Sequence, residues 1–263
     1  MTSHRAPAEA ADKTGSDMVG KALRLLGLLS EHPHGTSLSE LAQTAGYPVS
    51  TTHRLLKSLQ REGFVRSDDG SRRYSLGIRL FELGQRVSHG RGFAGVALPV
   101  MQRVTAATRE PTLMSVLDGH DQLYVHYVEG PQQVQITGEP GNRGPLHCTA
   151  MGKCLVAFQS PEESRKLVSE LELPSFTPNT IIHEDAFAEE IARVRQLGYA
   201  VADEEHELGI RAVGVPVIGV DGITIAALST AAPAYRITME RLREFVPLLQ
   251  DASRELAAVL PPR

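Results

Sequence analysis

The segment Thr36-Ser37-Leu38-Ser39-Glu40-Leu41-Ala42-Gln43-Thr44-Ala45-Gly46-Tyr47-Pro48-Val49-Ser50-Thr51-Thr52-His53-Arg54-Leu55-Leu56 decides how the first third of this chain folds. Ser37 and Glu40 stand three apart, the spacing of a capping box, in which hydroxyl and carboxylate each bond a free amide at a helix start. That cap opens a helix over Leu38 to Ala45, and Gly46-Tyr47-Pro48 breaks it. A second helix runs from Val49 to Arg61, with Leu55, Leu56 and Leu59 turned inward while Ser50, Thr51, His53, Arg54 and Lys57 stay polar.

Upstream, residues 18–31 place Val19, Ala22, Leu23, Leu25, Leu26 and Leu29 on one helical stripe, and His32-Pro33-His34-Gly35 stops it. Downstream, Phe64-Val65, the turn Ser67 to Ser71 and Arg72-Arg73-Tyr74 form a basic-tipped hairpin. Helix, turn, helix and hairpin in this order make a winged helix-turn-helix, whose recognition helix presents its N-terminal turn to the major groove. The candidate DNA-binding residues are therefore Ser50, Thr51, Thr52, His53, Arg54 and Lys57 on the helix, with Arg72 and Arg73 on the wing. The competing reading is a solvated polar face on a small helical domain.

Charge supports the first reading weakly. Through Arg91 the chain carries 13 Lys/Arg against 9 Asp/Glu, and beyond it 14 against 22, so a basic head joins an acidic body that phosphate would repel. The composition, 41% apolar and 22% charged, is that of an ordinary globular protein, and 263 residues suggest more than one domain. No apolar run approaches the roughly 20 residues of a membrane span, and no signal-peptide core opens the chain. Two cysteines six apart, Cys148 and Cys154, give no disulfide framework, so a reducing, cytoplasmic setting is expected. The expected organisation is a disordered tail over 1–17, a DNA-binding head over 18–77, a linker helix over 78–91 and a second domain over 92–263. In residues 76–90 the seam Leu76, Leu80, Leu83 and Val87 suits either pairing with another helix or packing on its own domain.

The second domain mixes elements without strict alternation. Helices are expected over Phe93 to Thr108, Ala150 to Phe158, Pro161 to Glu170, Asp185 to Leu197 and Thr238 to Val259. Strands are expected at Thr112 to Leu117, Gln122 to Glu129, Val134 to Thr137, Tyr199 to Asp203, Ala212 to Val217 and Ile223 to Thr230. This pattern points to an α+β fold with an antiparallel sheet. In Gly144-Pro145-Leu146-His147-Cys148-Thr149-Ala150-Met151-Gly152-Lys153 a loop leads straight into a helix, leaving amides near Thr149 to Gly152 for an anionic guest such as a carboxylate. It is not a phosphate-cradling loop, because His147 stands where glycine is required and Cys154 replaces the hydroxyl residue after the lysine.

Catalysis finds no support: His147 and Cys148 are adjacent and lack a third orienting group, so no catalytic residue and no cofactor is assigned. A metal site from His147, Cys148, Glu205 and His206 stays conceivable without a dense ligand spacing, and none is assigned. The run Asp203 to Glu207 reads as a solvated strand end or a partly ligand-facing one, and Arg211 as its counter-charge or an anion hook.

Ser39-Glu40-Leu41-Ala42, Ser50 to Leu56 with Leu59 and Gly63, and Tyr74-Ser75-Leu76-Gly77 resemble the IclR family of bacterial transcriptional regulators, and the resemblance runs from Val19 to Leu260. It implies a winged head, a linker helix that helps pair two heads, and a GAF-like antiparallel α/β domain that binds a small effector. By position in that family the effector-binding residues are Ile136, Gly144, Ala150, Met151, Ala202, Ile210, Ala212, Ser229 and Ala231. Glu205 and Ala212 match the C-terminal signature. Val49, Ala202, Ile218-Gly219 and Ala231 depart from the family pattern, which points to an operator and an effector particular to this member. The implied partners are double-stranded operator DNA, a small organic acid and further copies in a homodimer or homotetramer, without a membrane. The implied activity is a ligand-responsive regulator, a repressor of a metabolic operon. An activator, an enzyme fused to a DNA-binding head and an architectural dimer are the alternatives.

Overall fold

The computed structural model describes residues 18–260 apart from 69, 71, 91, 92, 135 and 137, so the expected tail lies outside the described residues. The chain forms two compact units, Met1–Val87 and Ser88–Arg263, and their boundary falls inside the expected linker helix.

In the first unit α1 (Met18–Ser30), α2 (Leu38–Ala45) and α3 (Val49–Arg61) pack around Leu25, Leu29, Leu41, Ala45, Leu55 and Leu56. The capping box forms as read: Glu40 N donates to Ser37 Oγ and Ser37 N donates to Glu40 Oε2. The Ser37 amide, with the Ser37 and Thr36 hydroxyls, holds the Glu40 carboxyl down at about 2. Gly46 ends α2 at a φ of 71°, and Tyr47 N reaches back to the Ala42 carbonyl, which sets the turn before Pro48.

The wing is larger than a hairpin. β1 (Thr36–Ser37) pairs with β3 (Arg73–Leu76), which pairs with β2 (Val65–Asp68), so the segment before α2 becomes a third strand. α4 (Ile78–Gly90) follows. Two helical stripes differ from expectation. Val19 and Leu23 are exposed on α1 because the three-helix core needs only the arc centred on Leu25 and Leu29. On α4, Leu80 and Leu83 are half-buried, while Ile78, Phe81 and Val87 stand in solvent.

The second unit begins with a π-helical turn at Phe93–Ala97 running into α5 (Leu98–Thr108), where one continuous helix was expected. Then come β4 (Thr112–Asp118), β5 (Asp121–Val128), β6 (Arg143–Pro145), α6 (Ala150–Ala157), α7 (Pro161–Glu170) and α8 (Glu184–Leu197). After them follow β7 (Ala200–Asp203), β8 (Ile210–Ile218), β9 (Thr224–Pro233), α9 (Met239–Arg243) and α10 (Val246–Val259). The single helix expected over Thr238 to Val259 divides at Glu244-Phe245, where Pro247 occupies the first turn of α10. Val134 and Ile136 are not in a strand. The chain's edge pairing with β5 is made by β6, and the Ile136 carbonyl instead accepts from Tyr127 Oη at 3.2 Å.

The six strands form one antiparallel sheet in the order β6-β5-β4-β9-β8-β7, as the fold class anticipated. Central β9 is buried along its whole length because helices cover both faces. One face packs Met114, Val213, Val215 and Leu228 against α5 and α10, through Met101, Leu249 and Leu256. The other packs Leu113, Ala227 and Ala231 against α6 and α8, through Leu155 and Phe187. All eight residues of α6 are buried, so this helix lies inside the unit.

Gly77 joins wing to α4 under tight constraint: its amide donates to the Phe64 carbonyl at 2.8 Å, and a Cβ there would sit 2.1 Å from the Gly63 carbonyl oxygen. Gly77→Ala is expected to destabilise the head by about 1–3 kcal/mol or more, read as a lowered midpoint in calorimetric unfolding. Gly27, with nothing within 4 Å of its would-be Cβ in mid-helix, is the control. Gly27→Ala should raise the midpoint, corresponding to a stability gain of about 0.5–1 kcal/mol.

Candidate functional site

The first site is the outward face of α3. Helical spacing brings Ser50, His53, Arg54 and Lys57 onto one exposed stripe, with half-buried Thr51 beside them and Val49 exposed at the helix start. Thr52 is not on that face. It is fully buried, and its hydroxyl donates to the Pro48 carbonyl at 3.2 Å, so it belongs to the turn's support and cannot touch a base. On the wing, Arg72 sits exposed at a φ of 54°. Arg73 Nε and Nη2 both donate to the Gly35 carbonyl, at 3.1 and 2.9 Å, so this guanidinium closes the wing against the turn before β1. Of the two arginines expected to approach phosphate, Arg73 is thus committed to a contact within the head, and Arg72 is left exposed at the tip of the wing. Arg66, which spacing did not single out, is exposed on β2 and braced by Ser75 Oγ at 2.8 Å. Gln60 Nε2 donates to Ser67 Oγ at 2.8 Å and fastens α3 to the wing.

The second site is a cavity of about 150 Å3 beneath the start of α6. Eight of the nine positions expected by resemblance line it: Ile136, Ala150, Met151, Ala202, Ile210, Ala212, Ser229 and Ala231. Gly144 does not. It lies on β6 behind the Tyr124 ring, where a Cβ would stand 3.2 Å from Tyr124 Cε2 and 3.0 Å from Gln122 Nε2. Strand register explains the room. Ala202 faces Ala212 across β7 and β8, and Ala212 faces Ala231 across β8 and β9, so three methyl groups form one row. In the next row Gly214 lies 3.0 Å, by its would-be Cβ, from the Ala150 backbone, which lets α6 approach the sheet.

The cavity's polar edge is only partly as expected. Thr149 caps α6, its Oγ1 accepting from Gly152 N at 3.0 Å, and the Lys153 amide donates to the Thr149 carbonyl. The helix therefore leaves the Ala150 and Met151 amides, rather than four, without an intrahelical acceptor, and both residues line the cavity. Tyr124, Cys148, Thr149, Glu205, His206 and Glu207 also line it and were not assigned in advance.

Burial pushes both the Cys148 and Cys154 thiols up to about 12, so neither is a thiolate nucleophile or a ready metal ligand at neutral pH. Burial lowers His147, whose Nε2 is 3.1 Å from the Pro174 carbonyl. The His206 ring lies tilted against Phe176, with ring centroids 5.0 Å apart. Among the described residues no group of three or more His, Cys, Asp or Glu side chains gathers to hold a metal.

Beside the cavity is the group that spacing did not find. Lys153, 1% exposed, sends Nζ to Glu190 Oε1 at 3.0 Å, Glu205 Oε1 at 2.7 Å and the Val201 carbonyl at 3.0 Å. Arg193 grips the other Glu190 oxygen, at 2.6 Å from Nη2. Burial would raise Glu190, but Lys153 and Arg193 outweigh it and hold the carboxyl low. At Glu205 burial wins over Lys153 and, helped by the charge of Glu190, raises the carboxyl. Arg211 is the counter-charge of the acidic run, its Nε 2.6 Å from Asp203 Oδ1 and its Nη1 on the Ala234 and Ile237 carbonyls. The hydroxyls of Thr177 and Thr180 hold the Glu204 and Glu205 carbonyls and keep this run in place.

Residues 18–69 match the IclR helix-turn-helix domain, and residues 85–258 match the bacterial transcriptional regulator IclR C-terminal domain. The chain is 31% identical to the HTH-type transcriptional regulator KdgR of Escherichia coli (strain K12) over 92% of its own length and 93% of that protein's. It is 31% identical to the transcriptional repressor IclR of the same organism over 96% of its length and 93% of that protein's. An IclR homolog from Microbacterium hydrocarbonoxydans, solved in complex with 4-hydroxybenzoate, superposes with a TM-score of 0.81 at 26% identity, covering 92% of this chain and 98% of that one.

Removing one partner from a buried ion pair leaves an uncompensated charge, which costs about 3–5 kcal/mol. Lys153→Met is expected to destabilise the C-terminal unit by that amount in chemical denaturation. A variant within 1 kcal/mol of the parent would show that the buried ammonium does not hold α6.

Proposed function

From the premise that this chain belongs to the IclR family of bacterial transcriptional regulators, we propose that it represses a metabolic operon and releases its operator when a small organic acid enters the α6 cavity. The family makes it a ligand-responsive DNA-binding regulator. The observation that carries the finer reading is the cavity itself, an apolar hole edged by the first-turn amides of a buried helix. Backbone amides at a helix start, with the positive end of its dipole, favour a carboxylate. A cavity of about 150 Å3 is the scale that accommodates one benzene-sized ring, so the acid is compact. The 4-hydroxybenzoate in the Microbacterium homolog belongs to this class, and the E. coli relative named as a repressor favours repression over activation.

On the DNA side, Ser50, Thr51, His53, Arg54 and Lys57 read the major groove, and Arg72 with Arg66 approaches phosphate. Exposed Val19 and Leu23 on α1 and Ile78, Phe81 and Val87 on α4 supply apolar surface for pairing copies of the head. A dimer or tetramer so formed presents two recognition helices to an inverted repeat. Its operator places the working protein with the chromosome, in the cytoplasm. Control follows from linkage: an effector lowers operator affinity only by binding the DNA-competent and DNA-incompetent arrangements unequally.

The test is fluorescence anisotropy with duplexes from the promoter regions beside the gene, titrated in fixed salt with and without a panel of organic acids. Tight binding to one duplex, reversed by an acid, is expected; a duplex bound equally with every acid present overturns the effector reading. Arg54→Ala should weaken binding by about 1–3 kcal/mol, roughly ten- to a hundredfold. Thr52→Val, which changes a buried hydroxyl, should leave operator affinity within about twofold of the parent, so a large loss there would contradict the assigned reading face.

A further inference from the structure

The sheet face under α6 carries two tyrosines of β5, and only one of their hydroxyl protons is committed. Leu123 and Val125 pack with the α5 and α10 side, whereas Tyr124 and Tyr127, three apart, both pack with the α6 side. Strict alternation along a strand forbids that. The register between β4 and β5 shifts at Met114/Ser115, so that Met114 pairs with His126 and Ser115 with Tyr124, and this bulge turns Tyr124 to the cavity that it lines. Tyr127 Oη donates to the Ile136 carbonyl at 3.2 Å; among the described residues nothing accepts the Tyr124 proton.

Gln122, fully buried, sets the direction of that proton. Its Nε2 lies 2.8 Å from Thr149 Oγ1, 3.3 Å from Tyr124 Oη and 3.4 Å from the Pro145 carbonyl, and its Oε1 accepts from Ser115 Oγ at 3.1 Å. A backbone carbonyl only accepts, so the amide faces Pro145 with its N–H groups. An N–H group therefore faces Tyr124 Oη as well, and the phenol proton turns away from Gln122. Thr149 has no donor to spare, since its hydroxyl gives its proton to the Pro145 carbonyl and accepts from Gln122 and from Gly152 N. Burial, and after it Cys148, raises the Tyr124 phenol, which keeps it a donor.

We propose that Tyr124 Oη is an effector-binding donor that gives its hydrogen bond to the ligand carboxylate at the start of α6, and that Gln122 is the residue that positions it. This rests on the organic-acid reading above and adds a side-chain donor to the Ala150 and Met151 amides. One Gln122 nitrogen reaches both the phenol and the α6 cap, which keeps Oη at that end of the cavity. A hydrogen bond to a charged acceptor is worth about ten- to a hundredfold in affinity.

The experiment is isothermal titration calorimetry of the full chain with benzoate, 4-hydroxybenzoate, cyclohexanecarboxylate, pentanoate and propanoate, on the parent, Tyr124→Phe, Gln122→Met and the double variant. Each acid that binds the parent is expected to bind Tyr124→Phe about ten- to a hundredfold more weakly. The ligand-free unfolding midpoint of that variant should stay within about 2 °C of the parent. Gln122→Met keeps the length without the amide and frees the phenol proton to turn to the Pro145 carbonyl. It should weaken the same acids in the parent background and add no loss in the Tyr124→Phe background. Binding to Tyr124→Phe within about threefold of the parent, or a loss accompanied by a larger fall in midpoint, overturns the Tyr124 contact and leaves the effector reading standing. A Gln122→Met loss of equal size in both backgrounds overturns the positioning role of Gln122. No binding of any of these acids to the parent overturns the organic-acid reading itself and the contact with it.

Discussion

The C-terminal unit is organised around one buried ammonium. Lys153 lies at the first turn of a helix with all eight residues out of solvent, and its Nζ joins α8 through Glu190, the end of β7 through Val201, and the following acidic run through Glu205. Taking three charges from water costs several kcal/mol per ion, and their mutual attraction offsets that only when the geometry is good and the remaining donors are used. Here every ammonium donor is used, and Arg193 at the surface grips the far side of Glu190. The helix can therefore neither rotate nor slide without breaking a charged contact. That fixes where its first two amides point, and so fixes one end of the cavity.

The same arrangement separates two roles among the acidic residues of Asp203 to Glu207. Asp203 is tied down by Arg211, and Glu204, at a φ of 57°, accepts a hydrogen bond from the Gly209 amide on its carboxylate. These contacts shape the turn. Glu205 points inward from that turn to Lys153, whose Nζ lies 2.7 Å from each of its two oxygens. Asp203 and Glu204 serve the turn while Glu205 and Glu207 line the cavity, an arrangement closer to the partly ligand-facing reading of the run than to a solvated strand end.

Local signals in the sequence were legible, and distant pairings were not. Ser37 with Glu40, Gly46 and the apolar positions of α3 act within one or two turns of chain, and each formed as read. Arg73 was placed on phosphate because nothing near it in sequence reveals that the Gly35 carbonyl, 38 residues away, collects two of its donors. Thr52 looked like one more hydroxyl in a polar helix start, but the turn at Pro48 rotates it into the core. Val134 to Thr137 has strand-like composition, and only the pairing of β5 with β6 shows that the edge is taken elsewhere. Lys153 was visible as a residue and invisible as a hub, since its partners stand 37 and 52 positions further on. For α1 and α4 the period was right, but a small core buries a narrower arc than the sequence offers.

The positions that departed from the family pattern become related once the strands are in register. Ala202 and Ala231 are 29 residues apart in the chain, yet both flank Ala212 in a single cross-strand row under α6. Side chains on one face of neighbouring strands stand about 5 Å apart, so three methyl groups together make a continuous apolar floor rather than three isolated gaps. Replacing a polar group at either end of such a row does two things at once: it withdraws a hydrogen bond from whatever lies above, and it widens the space. The polar groups of the cavity lie outside the row, at Ser229, at the start of α6 and at the acidic wall. The size and polarity of the cavity floor are thus set by the same three positions, through their smallness, while the buried ammonium ties the helix above them to its neighbours.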